Sequence, residues 1–483
     1  MASNRADSFF DLAVIGAGSG GLVAAIVAHK LGLRTALIEG RLFGGDCLNF
    51  GCVPSKSLIA SSRAAALMRG ANRFGIKSIE PHFKWDRITG RIAAIQDHIR
   101  EHETASYFRE MGLSVYEARA TFVDPHTLEI GDERITAKKI VVATGSSPVV
   151  PPIDGLKEAG YITNEDVFTL KTQPQRLTVI GGGPIGVEMA QAFARLGTNV
   201  TLIESADCVL SREDDDMSAI VCEALKHDGV DLRMNCTAAS VSIHNGEKRI
   251  SLECRPQHDE IAADEILVAV GRKPSIDGLK LDVAGIKHDR RGICVNKRMQ
   301  TSVRHIYAVG DCAGGPMFTH AASLEASVAI RNIVLKLPAK VSYRAFGWCT
   351  YTEPELASVG FNEKRAQADE IDYSVAEAEF ADNDRALCES STVGKIKVLY
   401  QRGWRKKIIG AQIVGPHAGE LIHEYVLAIS RGMTIGQLAG PTHIYPTLSE
   451  INRRVAIDHL AESFFSDRTR RILRLLFRYR GAS

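Results

Sequence analysis

The sequence predicts an α/β protein, and two features of its 483 residues lead to this class. Two glycine-rich segments, at residues 16–21 and 181–186, each follow an apolar stretch and are best interpreted as the turn between a strand and a helix. Alternating apolar segments at residues 396–399 and 408–414 favour an antiparallel sheet in the last third of the chain. A net charge of +2 and a charged fraction of 24% are ordinary for a globular protein and give no reason to expect nucleic acid. We therefore predict two Rossmann-like domains followed by an α+β domain.

The two glycine-rich segments are copies of one motif. Each has glycines spaced as G-x-G-x-x-G after a predicted strand, Asp11–Ile15 or Leu177–Ile180, and an acidic residue 18 positions after the last glycine. Gly16, Gly18, Gly21 and Glu39 recur as Gly181, Gly183, Gly186 and Glu204, each 165 positions later. The glycines allow a tight turn, close approach of a pyrophosphate and packing of the helix on the sheet, while the acid accepts hydrogen bonds from ribose hydroxyls. The chain is therefore predicted to bind two dinucleotides.

A pair of cysteines follows the first copy. The run GGDCLNFGCVPSK at residues 44–56 contains Cys47 and Cys52, and this spacing differs from those of zinc sites and of secreted disulfide frameworks. The run resembles the active-site segment of the pyridine nucleotide-disulfide oxidoreductases, the family of lipoamide dehydrogenase, glutathione reductase and mercuric reductase. The resemblance extends over roughly residues 10–457. It implies a redox-active disulfide between Cys47 and Cys52, placed beside FAD.

Four further segments resemble motifs of this family. Residues 301–311 end at Asp311, whose counterpart reaches the ribityl or pyrophosphate part of FAD, and residues 319–325 resemble the helix behind the isoalloxazine ring. Residues 141–146 and 271–274 resemble the strands where the chain leaves the flavin domain and returns to it. The resemblance thus assigns FAD to the first glycine motif and NAD(H) to the second. The residues expected to bind these cofactors are Gly16, Gly18, Gly21, Glu39, Gly45, Lys56, Thr144, Gly145, Gly181, Gly183, Gly186, Glu204, Gly271, Asp311 and Ala321.

The same resemblance implies the domain order and a homodimer with shared active sites. The expected domains are an FAD-binding domain at residues 1–150 and 272–345, an NAD-binding domain at 151–271, a dimerisation domain at 346–458 and a basic tail at 459–483.

The resemblance also assigns catalytic roles. Cys47 is expected to exchange with the substrate, and Cys52 is expected to lie against the flavin as a thiolate. A thiolate of low pKa needs a nearby positive charge or a helix N-terminus, and a helix predicted at Ser57–Met68 supplies the latter. Lys56 corresponds to the family lysine near flavin N5, and Glu188 corresponds to its ion-pair partner.

Two other positions bear on the cysteines and on the nucleotide. Asp46 stands where relatives usually have threonine, and an ionised carboxylate there should oppose thiolate formation on Cys47. Glu204 accepts hydrogen bonds from both ribose hydroxyls and repels a 2′-phosphate, so NADH is the expected nucleotide. Arg212, eight positions further on, is interpreted as part of a surface turn.

The acid/base segment of the family is altered in this chain. Disulfide-reducing relatives have a His-Pro-Thr segment with a glutamate five residues after the histidine, whereas residues 443–450 read HIYPTLSE. Glu450 is retained, but Tyr445 occupies the histidine position. A tyrosine with a pKa near ~10 cannot offer an imidazolium at neutral pH. His443, two residues earlier, is the alternative acid/base group.

Mercuric reductases carry a tyrosine at this place, so a mercuric reductase-like role is favoured over that of a lipoamide dehydrogenase. The match is incomplete, because the C-terminal cysteine pair and the N-terminal metal-binding domain are absent from the sequence, in which the last cysteine is Cys388. The acceptor therefore stays open between a soft metal ion, a disulfide such as lipoamide, and a quinone-like or protein acceptor. A flavoprotein that acts as a low-turnover interaction subunit is the alternative from another class.

Cysteine usage and the tail suggest where the protein works. Ten scattered cysteines and no signal peptide favour a reducing cytoplasm with one special disulfide. Residues 464–483 contain six arginines and one aspartate, and a helix there would place its arginines opposite an apolar side. Such a tail could lie on the inner face of an anionic membrane, dock a partner protein or pack on the dimer.

Overall fold

The chain folds into two compact units. The computed structural model describes residues 8–254, 257–403 and 405–478. The first unit comprises Met1–Arg69, Glu80–Ile203 and Cys236–Ser342, and the second comprises Gly70–Ile79, Glu204–Asn235 and Tyr343–Ser483. The predicted flavin domain and tail extend into residues 1–7 and 479–483, which lie outside the described residues. The predicted domain boundaries stay a prediction.

The first part of the chain builds a mixed sheet. Its elements are β1 (Ser8–Ile15), α1 (Ser19–Lys30), β2 (Thr35–Ile38), α2 (Gly45–Asn49), α3 (Cys52–Arg69), α4 (Trp85–Arg100), α5 (Ala105–Glu110), β3 (Ser114–Tyr116), β4 (Ala120–Phe122), β5 (Thr127–Ile130), β6 (Glu133–Val142) and β7 (Ser146–Pro148). Strands β3-β2-β1-β6 are parallel, and β5 and β4 continue the sheet in antiparallel pairing. Leu12 and Val14 of β1 pack into one apolar cluster, while Ala13 and Ile15 pack into another. Both faces of the sheet are therefore covered, as is usual for parallel strands.

The next part of the chain repeats the strand, turn and helix. Its elements are α6 (Leu156–Ala159), β8 (Arg176–Ile180), α7 (Pro184–Arg195), β9 (Asn199–Glu204), α8 (Asp215–His227), β10 (Asp231–Met234), β11 (Cys236–His244), β12 (Glu247–Cys254), β13 (Gln257–Ala263), β14 (Glu265–Val268), β15 (Arg272–Pro274), β16 (His288–Asp289), β17 (Gly292–Ile293), β18 (Ile306–Ala308) and α9 (Thr319–Ile333). β8 pairs in parallel with β9 and with β14, and β11-β12-β13 form an antiparallel sheet. β7 and β15 pair with each other, and β18 pairs in parallel with β6.

The last part of the chain, within the second unit, is α+β. Its elements are β19 (Gly347–Thr350), β20 (Glu355–Gly360), α10 (Glu363–Ala368), β21 (Tyr373–Glu379), α11 (Asp384–Cys388), β22 (Lys395–Gln401), β23 (Ile408–Gly415), α12 (Ala418–Leu421), α13 (His423–Arg431), α14 (Ile435–Leu438), α15 (Glu450–Phe464) and α16 (Asp467–Phe477). The strands form an antiparallel sheet in the order β19-β20-β23-β22-β21. The predicted fold class, two strand–turn–helix modules followed by an α+β domain, is thus confirmed.

The tail continues as two helices, α15 and α16. On α16, Ile472, Leu475 and Leu476 are exposed, and Arg470 and Arg474 lie on the other side of a helix with 3.6 residues per turn. In the described part of the chain, none of the helices combines the length and the apolar character that a bilayer-spanning segment needs. Docking through residues 464–483 stays a prediction.

Candidate active site

The first glycine turn leaves no room for side chains. Gly16 has a φ of +104°, and a Cβ there would lie 2.3 Å from the carbonyl oxygen of Ala143. A Cβ on Gly21 would lie 1.8 Å from the carbonyl oxygen of Gly16. Gly45, with a φ of +60°, approaches so closely that its Cβ would be 2.7 Å from the Cα of Gly18. Gly18 itself caps α1 without a side-chain hydrogen bond, so the backbone N–H groups at this helix start are the donors that a phosphate needs.

The second glycine turn is built in the same way. Gly181 has a φ of +111°, and its Cβ would lie 2.6 Å from the carbonyl oxygen of Ala269. A Cβ on Gly186 would lie 1.9 Å from the carbonyl oxygen of Gly181. Gly183 caps α7, whose first residue is Pro184. The repeat predicted from the sequence is therefore a repeat of backbone geometry.

The two acids lie at strand ends, where the sequence predicts them. One carboxylate oxygen of Glu39 accepts a hydrogen bond of 2.7 Å from the N–H of Ala17 in the glycine turn, and the other accepts one from the N–H of Arg41. Glu204, the last residue of β9, accepts a hydrogen bond of 2.9 Å from the N–H of Ala206. Each acid thus has a carboxylate oriented by the backbone beside it.

Cys47 lies in α2, and Cys52 is the first residue of α3. The helix therefore begins five residues before the predicted start at Ser57, because Pro54 in its first turn needs no hydrogen-bond partner for its nitrogen. This places Cys52 directly at the helix N-terminus, which favours its thiolate. Both thiols are free in the structure. The structure thus describes this pair as a dithiol, and its redox-active disulfide stays a prediction; a disulfide joins two other cysteines, as described below.

The surroundings shift the pKa values of the two thiols in opposite directions. The pKa of Cys52 is lowered to about 6, mainly by a hydrogen bond from the Cys47 thiol. A hydrogen bond from the Thr319 hydroxyl and the positive charge of Lys56 lower it further. The loss of hydration on burial and the charge of Asp46 act in the opposite direction. The sulfur of Cys52 lies 3.4 Å from Thr319 Oγ1. The same pairing with Cys52, together with burial, raises the pKa of Cys47 far above its usual value. At neutral pH, Cys52 is therefore the thiolate and Cys47 keeps its proton.

Lys56 and Glu188 meet as the family resemblance implies. The Nζ of Lys56 lies 2.9 Å from Oε2 of Glu188, although 132 residues separate them in the chain. The Glu188 side chain is only 6% exposed. A buried carboxylate without this cation would be costly, so the pair maintains a charged lysine one turn into α3, on the helix that begins with Cys52.

Asp46 is held by a cation that sequence reasoning did not identify. Its Oδ1 lies 2.9 Å from Nη2 of Arg272 and accepts a hydrogen bond of 3.2 Å from the Asn164 side chain. Asp46 raises the pKa of Cys47, as expected, and also that of Cys52, but it acts on each thiol more weakly than the pairing of the thiols and burial do. We attribute this weak effect to Arg272, which neutralises the carboxylate locally. The sequence signal was the arginine directly after Gly271, in the segment that resembles the family's return to the flavin domain.

The altered acid/base segment lies in the second unit. Tyr445 is 67% exposed, and its hydroxyl donates a hydrogen bond of 3.0 Å to Oδ2 of Asp384, which raises the pKa of the phenol. Glu450 begins α15 and accepts a weak hydrogen bond from the N–H of Thr447. The His443 side chain is only 9% exposed, and its Nε2 lies 3.3 Å from a carboxylate oxygen of Glu424. His443 is thus buried where Tyr445 is exposed, which disfavours it as a substitute.

We expect the acidity of Cys52 to be measurable in the reduced protein. As the pH falls through about 6, Cys52 becomes protonated, so its alkylation by iodoacetamide should slow with a midpoint near that pH. Thr319→Val removes a hydrogen bond to the thiolate and should move the midpoint upward. Ser323→Ala, one turn along α9, is the matched control and should leave it in place. A wild-type midpoint near ~8.5, the value for an ordinary thiol, would contradict this interpretation.

Comparisons with known proteins identify the family. The sequence profile described as "Pyridine nucleotide-disulphide oxidoreductase" matches residues 10–326, and that of the family's dimerisation domain matches residues 347–456. The chain belongs to the pyridine nucleotide-disulphide oxidoreductase family. It is accordingly an FAD-dependent enzyme that uses a nicotinamide nucleotide, and the dimerisation domain supports a homodimer.

Similar proteins differ in the acceptor that their names indicate. A mercuric reductase of Staphylococcus aureus is 33% identical over 445 residues, which cover 92% of this chain and 81% of the relative. A dihydrolipoyl dehydrogenase of Geobacillus stearothermophilus is 36% identical over 449 residues, covering 92% and 94%. Among solved structures, the Cu(II) complex of the HOCl-induced flavoprotein disulfide reductase RclA from Escherichia coli has a TM-score of 0.82 and 27% identity, covering 92% of this chain and 98% of that one. These comparisons establish the enzyme class and leave the acceptor open.

The residues around the first glycine turn fit FAD. The hydroxyl of Thr144 is buried without a hydrogen-bond partner among the described residues, apart from the weakly interacting thiol of Cys312. The next residue, Gly145, has a φ of +68° and would direct a Cβ into open space. Asp311 accepts a hydrogen bond from the Ser146 hydroxyl, and burial raises the pKa of its carboxyl. When bound, FAD would carry two electrons between the nicotinamide and the cysteine pair.

Two further residues of the expected site have structural positions. Gly271, with a φ of +135°, precedes β15, and its carbonyl accepts a hydrogen bond of 2.9 Å from the N–H of Val149. Ala321 is fully buried near the start of α9, the helix that also carries Thr319. A side chain as small as alanine lets this helix pack closely.

Proposed function

We propose that this enzyme passes electrons from NADH through FAD to the Cys47–Cys52 pair, and from there to a soft metal ion or a thiol-bound acceptor. One observation carries the proposal: Cys52 lies at the N-terminus of the helix that also carries the paired Lys56, next to the Cys47 thiol and the Thr319 hydroxyl, and these surroundings lower its pKa. A pair of thiols with no redox role has no need of such surroundings.

The two cysteines and the residues around them have separate roles in this electron transfer. Cys47, which keeps its proton beside the Cys52 thiolate, is the sulfur that exchanges with the acceptor once deprotonated. Cys52 holds its negative charge at the end of the helix dipole, where Thr319 and Lys56 stabilise it. Glu188 holds the Lys56 ammonium group in place. In the homodimer, we propose that Tyr445 and Glu450 of one chain complete the site of the other.

Tyr445 supports a soft metal ion as the acceptor. Reduction of a disulfide needs a proton for the departing thiol, and an imidazolium delivers it better than a neutral phenol whose pKa is raised. Reduction of a thiolate-bound metal ion has no departing thiol to protonate. Names among the similar proteins include mercuric reductase and a Cu(II) complex, so Hg(II) and Cu(II) are the first candidates. A dihydrolipoyl dehydrogenase role is the second candidate, favoured by a relative that is 36% identical over 449 residues.

A screen of NADH oxidation against Hg(II), Cu(II), lipoamide, glutathione disulfide and quinones tests the acceptor. The proposal expects the highest kcat/KM with a soft metal ion supplied as its thiol complex. The highest value with lipoamide would give first place to the dihydrolipoyl dehydrogenase role. Little turnover with every acceptor, from protein that contains FAD, would support the low-turnover interaction subunit instead.

We expect Glu204→Arg to narrow or reverse the preference for NADH over NADPH. The wild-type carboxylate accepts ribose hydrogen bonds and repels a 2′-phosphate, and losing such contacts costs about 1–3 kcal/mol. The measurement is kcat/KM for both nucleotides. Glu39→Arg is unsuitable as a control because it would alter the FAD site, so Glu223→Arg, on α8, is used. A wild-type preference for NADPH would show that Glu204 does not select the nucleotide.

A further inference from the structure

A disulfide joins the ends of two neighbouring strands. It connects Cys236, the first residue of β11, to Cys254, the last residue of β12, and the two residues are direct partners in the antiparallel register. Their Cα atoms are 4.1 Å apart. The other eight cysteines of the chain, all within its described part, are free. In the reducing compartment that the scattered cysteines predict, such a bridge is expected to be conditional, because proteins there rarely retain permanent disulfides.

The bridge depends on one extra residue in β11. Asn245 and Gly246, with φ values of 53° and 82°, form the tight turn between the strands, and residues 240–244 pair regularly with 247–251. The register then shifts between Ala238 and Ser240. Without this bulge, Cys236 would lie opposite the residue after Cys254. The bulge therefore brings the two cysteines face to face.

The bridge lies in the core that supports the second glycine turn. Cys236 is 4% exposed and packs in one apolar cluster with Ile180, Ile203 and Val268, and Cys254 packs against the same cluster. Ile180 directly precedes Gly181, the first glycine of the turn. A covalent tie at this place fixes the ends of β11 and β12, which pack against the same apolar cluster as Ile180.

We infer that Cys236 and Cys254 are a second, reversible dithiol–disulfide pair, whose oxidation by small-molecule disulfides stabilises this core and strengthens binding of the nicotinamide nucleotide. The binding part rests on the proposed assignment of the second glycine turn to NAD(H), whereas the redox part does not depend on it.

The reaction is a thiol–disulfide exchange in two steps. Cys254, the more exposed of the two, attacks one sulfur of glutathione disulfide as a thiolate, forms a mixed disulfide and releases one glutathione. Cys236 then attacks the Cys254 sulfur, closes the bridge and releases the second glutathione. The two protein thiols lose two electrons and two protons, and the two glutathione molecules gain them.

The first arm of the experiment measures the bridge itself. Native enzyme is incubated with glutathione disulfide or with dithiothreitol, alkylated, and mapped by peptide mass. We expect Cys236 and Cys254 to be linked after glutathione disulfide and separately alkylated after dithiothreitol. Two alkylated cysteines in both samples would overturn the inference, and so would a bridge that dithiothreitol cannot open in the folded protein.

The second arm measures how the bridge changes thermal stability and nucleotide binding. It uses the Cys47→Ser, Cys52→Ser background, so that the catalytic pair does not respond to the redox buffer. Oxidation should raise the midpoint temperature of thermal unfolding by about 5 °C. It should also lower the Kd of the bound nucleotide about fivefold. Adding Cys254→Ser should abolish both shifts, while adding Cys294→Ser, which removes an exposed free thiol, should retain them. NAD⁺ and NADP⁺ are both titrated. If the enzyme uses NADP(H) instead of NAD(H), binding of NADP⁺ will show it. A bridge that forms without changing either Kd overturns the inference.

Discussion

Cys52→Ser is expected to abolish turnover of NADH with every acceptor, by on the order of 10³-fold or more, because a hydroxyl cannot take part in disulfide chemistry. Cys52 is the thiolate of the pair, with a pKa lowered to about 6. The variant should also lose the long-wavelength absorbance that a thiolate beside oxidised FAD produces after two-electron reduction. Steady-state rates and anaerobic absorbance spectra measure the two effects.

Cys47→Ser separates the roles of the two thiols. It should lose turnover as well, but should retain the long-wavelength absorbance, since the serine hydroxyl can donate a hydrogen bond to the Cys52 thiolate in place of the thiol, and Thr319 and Lys56 are still present. Cys294→Ser serves as the control for loss of an exposed cysteine and should behave as wild type. If Cys52→Ser retained the absorbance while Cys47→Ser lost it, the assignment of the thiolate would have to be exchanged.

Tyr445→His is expected to raise turnover with lipoamide and glutathione disulfide by roughly 10²–10⁴-fold, the usual contribution of general acid/base catalysis. The hydrogen bond to Asp384 raises the pKa of the Tyr445 phenol, so it holds its proton too tightly. An imidazole at this position would have the carboxylate of Asp384 within reach, which favours the protonated ring. The measurement is kcat/KM for each acceptor in wild type and variant.

The control for this prediction is Tyr445→Phe, which removes the hydroxyl without adding an imidazole and should not accelerate disulfide reduction. Turnover with Hg(II) should not gain from Tyr445→His, because no departing thiol needs a proton. Rapid lipoamide reduction by the wild-type enzyme, with no increase in Tyr445→His, would mean that Tyr445 does not slow disulfide reduction. The soft-metal proposal would then lose its main support.

The glycine turns and the acids after them could be predicted because their requirements are local. At Gly16 and Gly181 the backbone has a φ above +100°, and at Gly21 and Gly186 a Cβ would lie within 2 Å of a carbonyl oxygen. Such demands leave a pattern of glycines that is visible in a short segment of any sequence. The fold class followed from the same pattern.

Partners far apart in the chain could not be derived from local pattern. Lys56 and Glu188 were paired through the family resemblance alone, and Arg272 was not connected with Asp46, 226 residues away. These charges meet because folding brings α3 beside α7, and α2 beside β15. The start of α3 at Cys52 was also missed; Pro54 lies in its first turn, where a helix tolerates proline.

The Cys236–Cys254 bridge shows most clearly which features the sequence predicts and which ones tertiary packing decides. The Asn-Gly pair at residues 245–246 is a readable hairpin signal, but an unbroken hairpin places the two cysteines one residue out of register. The bulge at Ala238–Ser240 corrects the register. Packing decides that bulge, because Cys236 and Ala238 face the same core as Val241, whereas in an unbroken strand, whose side chains alternate between faces, positions 236 and 238 would point away from that core.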